Sequence, residues 1–184
     1  MLLKKFELLE EEKADLLAVG KEVKTHAIVP RLPNGKSEGT VVAVASDWHV
    51  EETVEPGVVS GLNEYNPTIA RERADAYFKV LLRLIQIESA ATKIDNLVLA
   101  LLGDFFSNDI YEELAENNAL LPIQAVMFAE ELIASGIQFL LDNSNLALTI
   151  PCHSGNHART TEGIHISTER GHSLEFYMYH NLAS

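Results

Sequence analysis

Three continuous apolar runs punctuate the chain: Val41-Val42-Ala43-Val44-Ala45, Leu97-Val98-Leu99-Ala100-Leu101-Leu102 and Leu146-Ala147-Leu148-Thr149-Ile150. Unbroken rather than alternating apolar character predicts strands buried on both faces. The second run would also suit a helix; its length and the Gly103 stop favour a strand. Helical periodicity fills the gaps. Asn66 caps and Pro67 opens a helix over about residues 67–92, with Ala70, Ala74, Tyr77, Leu81 and Leu84 on one face. Asp75, Lys79, Arg83 and Gln86 take the other face. Pro122 opens a second helix, to about 142, with Val126, Ala129, Ile133, Gly136 and Leu140 on one stripe. A last helix, roughly 169–183, carries Leu174, Phe176, Tyr177 and Leu182. Strands alternating with helices predict the α/β class: a layered, parallel sheet with flanking helices.

Residues 1–26 read as a helix with a ragged apolar face, an arm that packs or seeks a partner. The stretch PRLPNGKSEG, residues 30–39, is turn chemistry. The expected organisation is therefore an N-terminal arm and turn segment over 1–39 and a main domain over 40–184. There is no internal repeat.

Composition narrows the partners. A chain of 184 residues, 47% apolar, suits one domain with a short appendage. No unbroken apolar run reaches the roughly 18 residues of a membrane span, so no membrane partner is expected. The first ten residues turn acidic where a signal peptide would be apolar. A single cysteine, Cys152, makes no internal disulfide, which points to a reducing cytoplasm. Fourteen Lys+Arg against 27 Asp+Glu give a net charge of −13. That balance disfavours a nucleic-acid partner along a broad face, though not a local site where metals screen a phosphate.

Each apolar run ends in polar residues: Ser46-Asp47-Trp48-His49, then Gly103-Asp104, then Cys152-His153-Ser154-Gly155-Asn156-His157. Ligands of open α/β sheets bind beyond the carboxyl ends of the strands. Asp47, His49, Asp104, Asn156 and His157 should therefore meet at one edge. Oxygen and imidazole donors without thiolate suit hard or borderline divalent metals. A two-metal clamp suits attack on phosphorus.

D-x-H, then G-D, then G-N-H, each at a strand end, resembles the calcineurin-like metallophosphoesterase superfamily. The contexts SDWHVEE, LLGDFFSND and SGNHARTT are similar to its phage and prophage branch, and the resemblance covers about residues 40–183. It implies the N-terminal half of an α/β/β/α sandwich and a phosphomonoester, phosphodiester or nucleic-acid substrate. It implies two divalent metal ions, Mn²⁺ foremost, with Fe, Zn, Ni or Mg as alternatives. Asp47 and His49 would hold the first metal, Asp104 would bridge both, and Asn156 would hold the second. His157 would face the phosphate and assist the leaving oxygen while metal-activated water attacks.

The chain departs from the family pattern twice. Ala158 and Arg159 stand where the family has an acid after G-N-H; Arg159 would bind phosphate oxygens. The family's downstream G-H-x-H is missing, and Gly171-His172-Ser173-Leu174 fails at its last position. The resemblance then implies the front part of a longer enzyme, with an incomplete sheet whose apolar surface promotes self-association.

Plainer roles stand beside these. Asp47 and Asp104 also suit caps or turns. His26, His153, His165, His172 and His180 are expected to be solvated or packed, with His165 the best substitute ligand. Trp48 orients its turn by packing. Glu51 and Glu52 read as a solvated pair, with water-mediated reach to a metal as the alternative. Tyr111, Glu112 and Glu113 belong to a helix face or the substrate mouth. Cys152 is a small strand-end residue, and Asn63-Glu64-Tyr65-Asn66 is turn and cap. A non-catalytic binding or assembly module of the same fold is the alternative function. A nucleotide-binding α/β domain is weaker, since no glycine-rich phosphate loop occurs.

Overall fold

The computed structural model describes residues 37–110, 116–163 and 169–184. Within them the three apolar runs lie side by side as parallel strands. β1 spans Ser37–Ala45, β2 Thr92–Leu101 and β3 Ala147–Thr149, in the order β1-β2-β3. Helix α1, Pro67–Glu88, lies between β1 and β2 in the chain, and α2, Pro122–Asn143, between β2 and β3. Two short helices follow, α3 at Glu169–His172 and α4 at Leu174–Leu182. The expected α/β class and open parallel sheet are both present. The expected boundary at residue 40 instead falls inside β1, because Ser37, Glu38 and Gly39 already pair with Thr92, Lys93 and Ile94. The arm over 1–26, most of the turn segment, and His26, Tyr111, Glu112, Glu113 and His165 lie outside the described residues.

Parallel crossovers are right-handed. With strands in chain order, that rule lays α1 and α2 on one face of the sheet, where they touch. The core fills the space between: Ala43, Ala45, Leu97, Leu99 and Leu101 from the strands meet both helices. The α2 stripe is buried as expected. The α1 stripe is shifted: Ala70, Ala74, Phe78, Leu82 and Ile85 are buried while Leu84 is exposed. Asn66 caps α1 by accepting from Ile69 N–H at 3.0 Å. At the C-terminal end, Ser89 is the cap: its N–H and its hydroxyl both donate to the Ile85 carbonyl.

The end of β2 is buried on both faces, with Leu99, Ala100 and Leu101 all buried, but β1 is buried on one face only. Val42 is 65% exposed and Val44 53%, with Leu102 beyond β2 at 44%. Both helices lie on the opposite side, which leaves this face open at β1 and at Leu102, while Ala100 of β2 on the same face is buried. The last helix also departs from expectation. Ser173 is extended and caps Phe176 N–H, splitting the segment into α3 and α4. Phe176 and Tyr177 are exposed, and Glu175 and Met178 are buried instead.

Helix α2 is long and apolar enough to cross a membrane by length and composition, with a mean hydropathy of 1.3 over its best window. The sequence expectation considered only unbroken apolar runs, whereas α2 is apolar overall with a few charges. Core helices pass the same test, and seven α2 residues are buried against the neighbouring elements.

Gly136 sets the helix crossing. A Cβ there would lie 2.0 Å from the Phe78 ring. Gly136→Ala should therefore cost about 1–3 kcal/mol through overpacking, read as a lower denaturant midpoint. An unchanged midpoint would show that the helices do not meet at this point.

Candidate functional site

Pairing between β1 and β2 continues into the loops. Leu102 N–H donates to Ala45 O (2.9 Å), Asp47 N–H to Gly103 O (3.0 Å), His49 N–H to Asp104 O (3.3 Å) and Val50 N–H to Phe105 O (3.0 Å). Beyond β3, His153 N–H donates to Leu101 O at 2.8 Å. His157 N–H then donates to the Asp104 carboxylate at 2.9 Å. The three strand-end segments are thus bonded directly to one another. Asp47, His49, Asp104 and Asn108 all have left-handed backbone, with φ between 45° and 58°. Asp and Asn tolerate that region and His is enriched there. Such backbone persists only where surrounding structure compels it, and it clusters at functional sites.

Ser107 organises both imidazoles. Its hydroxyl donates to Glu52 and lies 2.7 Å from His49 Nδ1. A carboxylate only accepts, so the Ser107 proton goes to Glu52 and Ser107 Oγ accepts from His49 Nδ1–H. The Ser107 carbonyl lies 3.1 Å from His157 Nδ1 and, being an acceptor, takes a proton from it. Both neutral rings then carry their lone pair on Nε2, the form a metal ligand or proton acceptor needs. The rings stand edge to face with centroids 5.0 Å apart. Trp48 packs against Tyr77, Phe78 and Phe105 and fixes the turn, as expected.

Two buried carboxyls tie the loops together. Glu51 is fully buried, not solvated: one oxygen accepts from Ser107 N–H (2.7 Å) and Asn108 N–H (2.9 Å). Burial pushes its carboxyl above the usual range, against the pull of those N–H groups. Asn108 in turn donates its amide to the carbonyls of His157 and Arg159. Glu175 accepts Phe105 N–H at 2.9 Å with one oxygen and Gly155 N–H at 2.7 Å with the other. It clamps the loop after β2 to the loop after β3.

The remaining candidates are placed as follows. Asp47 and Asn156 are exposed; His49, Asp104 and His157 are half-buried. The Arg159 guanidinium folds onto the Asn156 carbonyl at 2.5 Å, and Ala158 is buried in the core. Cys152, His153, His172 and His180 are exposed. Donor chemistry and loop placement fit a divalent ion held by Asp47, His49, Asp104 and Asn156. Among the described residues no three carboxylate, imidazole or thiolate groups are grouped to hold a metal. Sequence reasoning missed Ser107, Asn108 and Glu175. A visible signal for Glu175 was a lone acid in the otherwise apolar run LEFYM; for Asn108 it was an Asn in a sharp loop.

No protein-family model, no curated protein and no solved structure matches this chain.

Proposed function

We propose that the chain is a metal-dependent phosphoester hydrolase of the calcineurin-like type, its sheet forming one half of an α/β/β/α sandwich. The observation that carries this reading is the direct bonding of three strand-end loops around His49, Asp104 and His157. Asp47, His49, Asp104 and Asn156 would hold two divalent ions, which would neutralise phosphate charge and activate water. His157, oriented by donating its Nδ1–H to the Ser107 carbonyl, would present Nε2 to the ester; with Nε2 protonated from solvent, the ring would give that proton to the leaving oxygen and return to the neutral form. Arg159 would add a guanidinium for the phosphate oxygens.

The test is hydrolysis of a chromogenic phosphomonoester and a phosphodiester with Mn²⁺ added. Asp104→Asn keeps an oxygen for His157 N–H, so its fold should persist while turnover falls by roughly 10²-fold or more; His157→Ala should lose about 10²–10⁴-fold. Rates equal to wild type in both variants would mean the assignment is wrong. A second reading, a non-catalytic assembly module of the same fold, draws on the bare Val42, Val44 and Leu102 face, through which copies of the chain would associate.

A further inference from the structure

Beside the strand ends lies a cavity of about 380 Å³ that no step above uses. That falls within the roughly 300–1,000 Å³ of small-molecule sites. Asp47 and His49 are among its lining residues, so a phosphoester held by them would have this space beside it for its organic group. Its walls include three aromatic side chains: Trp48, Tyr65 and Tyr77. Each is fixed. Tyr65 donates its hydroxyl to Trp48 O (2.5 Å) and Tyr77 to Val44 O (3.0 Å). Tyr65 is also pinned by a two-way backbone pairing with Val54.

Arg73 and Asn63 also line the cavity and are themselves exposed. The Arg73 guanidinium lies over the Tyr65 ring, 5.1 Å from its centroid. Among the described residues no carboxylate forms an ion pair with it, whereas Arg71 is paired to Glu131 and Lys79 to Asp75. A guanidinium stacked on a ring continues the flat aromatic wall. An asparagine amide offers both donors and an acceptor, as the edge of a base requires. Flat walls with an amide and a guanidinium alongside match a planar, polar-edged ring rather than an aliphatic group.

We propose that this cavity seats a nucleobase-type ring, so that the phosphoester substrate is a nucleotide; the substrate role rests on the hydrolase reading above. The binding itself can be tested without turnover. Trp48 is the chain's single tryptophan, so fluorescence excited selectively at tryptophan reports on this cavity. Adenosine monophosphate should quench it saturably, and ribose 5-phosphate and inorganic phosphate should not. Arg73→Ala, at an exposed position, should weaken the nucleotide about tenfold, the usual scale for one stacking partner. Asn63→Ala should weaken it less, and Lys79→Ala not at all. A single-stranded oligonucleotide should bind more weakly than the mononucleotide, because a net charge of −13 repels a long backbone. Tighter oligonucleotide binding would assign the base to a nucleic-acid end in the same cavity. Equal quenching by ribose 5-phosphate and the nucleotide, no saturable quench, or an unaltered Arg73→Ala titration would overturn the proposal. Nucleotide quenching in a chain that hydrolyses nothing supports the cavity and removes the hydrolase. Hydrolysis without quenching does the reverse.

Discussion

Gly155→Ala should destroy the site. A Cβ on residue 155 would lie 2.1 Å from Asp104 Oδ1, 2.4 Å from its Cγ and 2.4 Å from its backbone nitrogen. None of these atoms has room to give. Asp104 N is backbone, and Oδ1 is held by His157 N–H. Gly155 itself is tethered by its own N–H to Glu175. Gly103 faces it across the gap with φ +89°, and a Cβ there would lie 2.0 Å from Gly155 N. Two glycines in contact are what let the Asp104 loop and the Asn156-His157 loop approach. Overpacking of this kind costs about 1–3 kcal/mol or more. A displacement of about 1 Å at reacting groups costs on the order of 10² in rate. Gly57→Ala, with nothing within 4 Å of its Cβ, is the matched control. Equal melting temperatures and equal hydrolysis rates for the two variants would sink this account.

Glu175→Ala comes second, and its effect is on stability first. It leaves Phe105 N–H and Gly155 N–H without their acceptor, at about 1–3 kcal/mol for each buried donor. The wild-type residue also makes stability depend on pH. Burial, aided by the Asp104 charge, pushes its carboxyl up to about 7 against the N–H groups of Phe105 and Gly155. The folded chain therefore holds this proton more tightly than the unfolded chain, whose ordinary value is 4.5. The stabilisation is complete below about pH 4.5 and is lost as pH rises through about 7. At about 1.4 kcal/mol per tenfold in proton affinity, the swing is on the order of 3 kcal/mol. Denaturant midpoints taken across this window should fall for the wild type and fall less for Glu175→Gln, which cannot titrate there. Glu51 also has a raised carboxyl, and comparing the two chains cancels its share. Parallel curves would show that Glu175 does not carry this proton.

The elements that were legible share one property: their signal is local. The α2 stripe of Val126, Ala129, Ile133, Gly136 and Leu140 repeats at helical spacing, and it is buried. Asn66-Pro67 is a cap and first turn by chemistry alone, and it caps. Burial on both faces holds at the end of β2 but fails for β1, because an apolar run does not say which neighbours arrive. Val42 and Val44 lie bare because both crossover helices take the other face. The α1 stripe slipped onto Phe78 because that ring meets Gly136 of α2, a partner 58 positions away in the chain.

Hydrophobic periodicity, caps and turn residues determined the class of fold, its strands and its long helices, since each depends on neighbours within a few positions. The same local view placed Asp47, His49, Asp104, Asn156 and His157 after strands. Only the tertiary structure decided that Ser107 orients both imidazoles and that Glu51 and Glu175 are buried ties rather than surface acids. Those roles come from backbone N–H and C=O groups stranded where the strands end. A buried polar group is costly unless partnered, and its partner is chosen by proximity in space, which no linear pattern records.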